Sequence, residues 1–228
     1  MYKFKKPKCR ILTAIVFSIF LLSVYFLVNN PVSAEAKKGK VAEVRMGKLE
    51  RLSDQAWKEI KKDAEVSLGD RLRTDKMALA IVELPDIGRF VIGPDSEIEL
   101  GKQEKDFNAD LPRGAVWMKA NLAKGAKASI TSSLATAGIR GTKFSVFYGR
   151  GTLDVCVCTC IGDVTATLKD GKTVQVSKGT ILAIKGDAPA PDKAESAMPI
   201  LDKEGKGWDF CFNCHIEGGR GKLKEDRK

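Results

Sequence analysis

Between about residues 40 and 185, apolar and polar positions alternate in short segments broken by Gly, Asp and Pro. That period of two is the mark of β-strands with one face buried. Ala78–Leu84 and Arg89–Ile92 flank Pro85-Asp86-Ile87-Gly88 and predict a hairpin. Lys143–Tyr148 and Thr152–Val155 flank Gly149-Arg150-Gly151 and predict a second. Val164–Leu168 and Thr173–Val176 flank Asp170-Gly171, two residue types that tolerate positive φ, and predict a third. No stretch in this region repeats its apolar residues with the 3.6-residue period of a helix. The expected fold is all-β, a β-sandwich or β-roll of many short strands.

The first 34 residues break this pattern. Lys3, Lys5, Lys6, Lys8 and Arg10 precede an apolar run from Ile11 to Val28, and Asn29-Asn30-Pro31 then stops a helix. Val32-Ser33-Ala34 puts small residues where an export signal is cleaved. The run is 18 residues long, the lower limit for crossing a bilayer. Two fates fit residues 1–34, a signal peptide cleaved after Ala34 or an uncleaved anchor through residues 11–28. Both predict that residues 35–228 lie in the periplasm or are otherwise exported, with membrane contact only through the N-terminal segment.

Composition is that of an ordinary globular chain: 228 residues, 43% hydrophobic and 30% charged. The formal charge of +10 includes the five positives of the leader, leaving 34 basic against 29 acidic residues, or +5, on residues 35–228. These charges intermingle without an aromatic-basic stripe, which argues against a nucleic-acid partner.

Several segments together carry a family resemblance. Ser67-Leu68-Gly69-Asp70-Arg71-Leu72-Arg73-Thr74 comes first, followed by Pro94–Leu100 and Arg113-Gly114-Ala115-Val116-Trp117. Ala135-Thr136-Ala137-Gly138-Ile139-Arg140-Gly141-Thr142-Lys143-Phe144-Ser145-Val146 completes the set. Across residues 40–185 the chain resembles the FecR domain family, whose hallmark is a Val/Ile-Arg-Gly-Thr-x-Phe-x-Val run. The resemblance implies a periplasmic β-structure of the kind that relays a signal from an outer-membrane receptor to an extracytoplasmic sigma factor. Those regulators carry a cytoplasmic anti-sigma segment before the membrane span, whereas ten residues precede the apolar run here. The expectation is therefore a standalone exported FecR-like module. Within the hallmark, Gly141 marks a tight bend or close backbone approach. Arg140 fits either a ligand carboxylate or loop carbonyls that hold the fold, with Arg140, Gly141 and Thr142 together as a ligand or fold motif.

The six cysteines fall mostly into two groups. Cys156, Cys158 and Cys160 alternate with Val155, Val157 and Thr159 and share one strand face. Same-face neighbours stand roughly 6.6–6.8 Å apart with parallel side chains, a poor geometry for a disulfide within the trio. They are expected as small apolar fillers, with Cys158 and Cys160 also open to a partner. The second group, Trp208-Asp209-Phe210-Cys211-Phe212-Asn213-Cys214-His215, holds the Cys-x-x-Cys-His pattern of covalent haem c attachment and the only histidine of the chain. Cys211 and Cys214 would form the thioethers and His215 an axial ligand. The rival use is a zinc or iron ion held by Cys158, Cys160, Cys211 and Cys214, or disulfides among them. Pro189, Pro191 and Pro199 make residues 186–207 read as a linker before a 208–228 tail.

No catalytic constellation is evident. Any His-dependent scheme would have to use His215 beside two thiols, and Glu97 and Glu99 fit alternation on a solvated strand face. No Gly-rich phosphate loop precedes a helix. The reading that results is a non-enzymatic periplasmic module binding an envelope protein or small ligand, in envelope signalling. The alternative is a monohaem electron-transfer or haem-sensing protein built on Cys211, Cys214 and His215.

Overall fold

The computed structural model describes residues 38–139, 143–150, 153–186 and 191–196. The expected N-terminal helix and the Cys-x-x-Cys-His tail lie outside them. The described residues are all-β, with 17 strands and no helix. They are β1 (Gly39–Arg45), β2 (Leu49–Ser53), β3 (Ala56–Ile60), β4 (Glu65–Val66), β5 (Arg71–Thr74), β6 (Leu79–Leu84), β7 (Gly88–Ile92), β8 (Glu97–Glu99) and β9 (Asp106–Ala120). There follow β10 (Lys127–Thr131), β11 (Ala135–Ile139), β12 (Lys143–Arg150), β13 (Leu153–Ile161), β14 (Asp163–Leu168), β15 (Thr173–Ser177), β16 (Thr180–Ile184) and β17 (Glu195–Ser196).

Pairing links these strands into two layers that share β9. Layer A runs β4-β1-β6-β7-β9-β12-β13-β16-β17, antiparallel throughout. Layer B runs β3-β2-β5-β8-β9-β10-β11-β14-β15, antiparallel except for the parallel β9–β10 pair. The first half of β9 belongs to layer B, where Phe107 pairs with Ala128. Its second half belongs to layer A, where Trp117 pairs with Val91 and Ser145. The turn between the halves falls at Pro112-Arg113-Gly114. Gly114 has φ +88°, and a Cβ there would overlap Ser96 Oγ, Cα and Cβ. Only glycine satisfies both demands.

Alternation along each strand builds the core between the layers. Val82, Phe90, Ile92, Val116, Met118, Phe144, Val146, Val155 and Val157 come from layer A, and Leu72, Ile98, Phe107, Ile130, Val164 and Val176 from layer B. The rings of Phe90 and Phe107 meet across the interface at 5.5 Å between centroids, tilted by 48°. Two buried polar groups are fully used. Thr74 Oγ1 donates to Gly93 O (2.6 Å) and accepts from the Ser96 amide (3.0 Å). Ser96 Oγ accepts from the Ala115 amide (2.9 Å) and donates to Pro94 O (3.1 Å). Together they tie β5 and the β7–β8 connection to the bend of β9.

The predicted hairpins appear with small differences. β6 and β7 turn through Pro85-Asp86-Ile87, with Asp86 at φ 58°. β14 and β15 turn through residues 169–172, with Gly171 at φ 85°. β12 continues through Gly149, and Arg150 pairs with Leu153, so strand pairing reaches further than the expected Gly149–Gly151 turn. On the β9 side the ladder ends earlier, at Tyr148 opposite Gly114. A fourth hairpin, β2–β3, turns at Asp54-Gln55 with φ of 53° and 63°. It lacks the glycine that marks such turns in a sequence. Within the stretch read as a linker, Glu195 and Ser196 pair with Ile181 and Thr180.

The loop from β5 in layer B to β6 in layer A depends on one carboxylate. Asp75 accepts backbone N–H bonds from Met77, Ala78 and Lys48, each at 2.9 Å. Those bonds, led by that of Met77, hold its carboxyl below the usual value for aspartate. A lowered folded-state pKa stabilises the fold above the unfolded pKa of about 3.9 and loses that contribution as pH falls through the folded value. The stability gap between the unsubstituted chain and Asp75→Asn, measured by urea unfolding, should therefore be constant near neutrality and shrink below about pH 4.

Candidate functional site

The layers exchange chain at two neighbouring corners. β11 ends at Ile139 in layer B, paired with Ala128 and Val164. β12 begins at Lys143 in layer A, paired with Lys119 and Ile161. Arg140-Gly141-Thr142 lies outside the described residues. The chain returns through Ile161-Gly162-Asp163, with Gly162 at φ 81° where an L-residue would be strained.

Beside these corners opens a groove of about 1210 Å³ on layer B. Asp106, Asn108, Lys124, Lys127, Ser129, Asp163 and Thr165 line it above Phe107, Leu122, Ala128 and Ile139. Asn108 Oδ1 accepts from Ser129 Oγ and Thr131 Oγ1, both at 2.8 Å, so the floor's polar edge is held in one arrangement. Two carboxylates, two ammonium groups and short hydroxyls around an apolar base suit recognition of a polypeptide or small polar ligand. A smaller groove of about 640 Å³ lies at the β6–β7 turn, lined among others by Lys38, Lys40, Glu83, Asp86, Arg89 and Lys119.

The remaining sequence candidates separate. Arg71 and Arg73, from the first resemblance segment, point outward from layer B. Arg71 Nη2 donates to Glu97 Oε1 at 2.5 Å, and Arg73 Nε to Glu50 Oε2 at 2.6 Å. Arg73 also lies 4.3 Å from the centroid of the Trp57 ring. Glu97 and Glu99 are thus members of an ion-pair ladder with Arg71 and Arg113 on a half-exposed face. Such surface pairs contribute about 0.2–1 kcal/mol each and position strands.

Cys156, Cys158 and Cys160 are buried on the outer face of layer A with Ile81, Val91, Ala115, Trp117 and Ile181. Val155 and Val157 face the core between the layers, as the alternation predicts. Among the described residues no cluster of three or more His, Cys, Asp and Glu side chains forms a metal site. Cys211, Cys214 and His215 lie outside the described residues.

The segment from Asp70 through the layer corners to Cys160 decides the comparison with known proteins. Residues 70–160 match the FecR protein family. That span runs from β5 to the last cysteine of β13 and includes both halves of β9, so the FecR resemblance read from the sequence is shown there. No curated protein matches the chain. A solved structure of a candidate anti-sigma factor from Parabacteroides distasonis aligns with a TM-score of 0.50 at 13% identity, over 57% of this chain and 62% of that one. A second such structure from the same organism aligns at 14% identity with a TM-score of 0.46, over 53% of this chain and 57% of that one. The first likeness is one of fold, and it spans less than two thirds of the neighbour's length. The described residues of the FecR-like region thus form an all-β frame.

Proposed function

We propose that this chain is an exported, non-enzymatic FecR-like module that binds an envelope protein through the layer B groove between Lys124, Ile139 and Asp163, as part of envelope signalling. The observation that carries this reading is the FecR match over residues 70–160, a span that includes Phe107, Lys127, Ser129 and Ile139 of the groove on layer B. FecR-type proteins and the solved fold neighbour described as an anti-sigma factor are regulatory, which favours binding over catalysis. The groove's mixed charge also favours a protein or peptide partner. Lys124 and Lys127 would meet acidic groups, Asp106 and Asp163 basic ones, and the apolar base would bury a side chain.

Site-specific photo-cross-linking in intact cells tests this. A photoreactive residue at position 124 should capture one envelope protein, and Asp106→Lys with Asp163→Lys should cut that yield at least about tenfold. A photoreactive residue at position 58, on the β2–β3 hairpin, should not give that product. Equal yields from both positions, or no effect of the charge reversals, would overturn the reading.

The Cys211-x-x-Cys214-His215 motif supports a second reading, attachment of haem c for electron transfer or haem sensing. Its test is the intact mass of the native exported protein under denaturing, non-reducing conditions. An excess equal to one haem that disappears in Cys211→Ser/Cys214→Ser supports the haem reading. A mass free of it removes that reading and leaves the binding module. The same spectrum shows whether residues 1–34 are retained as an anchor.

A further inference from the structure

Beside the β6–β7 turn, the outer face of layer A carries a row of charged residues. Lys40, Glu83, Arg89 and Lys119 sit opposite one another in turn across β1, β6, β7 and β9. The buried Lys143 of β12 follows in the same register. Glu83 is the one carboxylate of this row, and it lies 3.9 Å from both Lys40 Nζ and Arg89 Nε. That separation is beyond hydrogen-bond reach. Arg89 has no other ion pair among the described residues, and its Nε is buried without a hydrogen-bond partner. Lys119 is exposed beside it and has no ion pair among the described residues. Two cations directly opposite each other on paired strands repel and destabilise a sheet. Gly88 nevertheless keeps them adjacent. Its φ is +149° and a Cβ there would overlap Lys119 O, so the start of β7 closes against the end of β9.

We propose that the groove at this turn binds a phosphate group, held between the Arg89 guanidinium and the Lys119 ammonium. The groove measures about 640 Å³, and Lys40, Glu83, Arg89 and Lys119 all line it. Asp86 on the turn is its second carboxylate, and its remaining cation, Lys38, is engaged by Glu65 Oε2 at 2.9 Å. An oxyanion over Arg89 and Lys119 stands on the side of Arg89 away from Glu83. There the guanidinium fork meets two oxygens and the Lys119 ammonium a third. A phosphate monoester offers three acceptor oxygens and a charge of about −1.5 to −2, which offsets both cations. A carboxylate is matched by the arginine alone and leaves Lys119 uncompensated. The groove is larger than a phosphate, so it has room for the molecule that carries the group. A small phosphate ester and a phospholipid headgroup share this chemistry. The site is on layer A and does not depend on partner binding at the layer B groove.

Phosphate titration of the full exported chain, followed by heteronuclear NMR, tests the site. With ionic strength held constant by chloride, inorganic phosphate should shift the backbone amides of Gly88, Arg89 and Lys119 saturably. Arg89→Gln/Lys119→Gln should weaken that binding at least about tenfold. Glu83→Gln removes the carboxylate nearest Arg89 and should tighten it about threefold. Lys58→Gln, on the β2–β3 hairpin, should leave it unchanged. Tighter binding cannot come from a damaged fold, so Glu83→Gln decides the matter if the double variant unfolds. Glycerophosphoglycerol, a phospholipid headgroup without acyl chains, identifies the source of the phosphate. Binding as tight as that of inorganic phosphate assigns the site to a headgroup, and much weaker binding assigns it to a phosphate monoester. Shifts that chloride reproduces, that do not saturate or that persist in Arg89→Gln/Lys119→Gln overturn the site. Unchanged or weaker binding in Glu83→Gln overturns it as well.

Discussion

Gly114→Val is expected to destabilise the protein by about 3–5 kcal/mol and to shift its urea midpoint accordingly. Two costs combine at this position. A side chain at φ +88° costs about 1–2 kcal/mol relative to glycine. The new Cβ also overlaps Ser96, whose Oγ accepts the Ala115 amide at 2.9 Å, so the bend of β9 must open and a buried hydrogen bond is lost. Gly125 supplies the control. It has φ +83° but no atom within 4 Å of a built Cβ, so Gly125→Ala carries only the conformational cost, about 1 kcal/mol. Equal destabilisation by the two changes would show that the close approach to Ser96 contributes nothing.

Phe90→Ala should cost about 3–5 kcal/mol in the same assay. Its ring is fully buried and meets Phe107 across the two layers, one from β7 and the other from the layer B half of β9. Removing it leaves a cavity between sheets whose backbones are held by pairing on both sides, so the gap cannot close cheaply. The tilted ring contact adds a pairwise component. A double-mutant cycle with Phe107→Ala should return a coupling of about 0.5–1.5 kcal/mol. Additive losses would mean that the rings act only as separate apolar volume.

Much of this architecture was readable from local pattern. Alternation over Lys143–Val146 and Val155–Thr159 set which residues face the core, because successive side chains of a strand point to opposite sides. Asp86 and Gly171 marked turns because they tolerate positive φ. The β2–β3 turn escaped because Asp54 and Gln55 adopt positive φ without a glycine to announce it. The resemblance pointed to the run around Ile139 and Lys143 as a landmark, but strand pairing was needed to show that Ile139 ends in layer B and Lys143 begins in layer A. Glu97 and Glu99 were visible as an acidic pair, yet their ion-pair partners Arg71 and Arg113 come from other strands.

The sequence by itself determined the all-β class, the face each strand buries, several turns and the FecR resemblance over residues 70–160. All of these follow from short-range chemistry: side-chain alternation, backbone freedom at particular residues and a contiguous motif. Only the tertiary structure decided that β9 is one strand serving two layers, because a bend at Gly114 has meaning only against Ser96. It alone aligned Ile81, Val91, Trp117, Ser145, Cys158 and Ile181 into one row, residues drawn from six strands across a hundred positions of chain. Strand register is set by pairing between segments distant in sequence, and no local pattern encodes which distant segment will lie alongside.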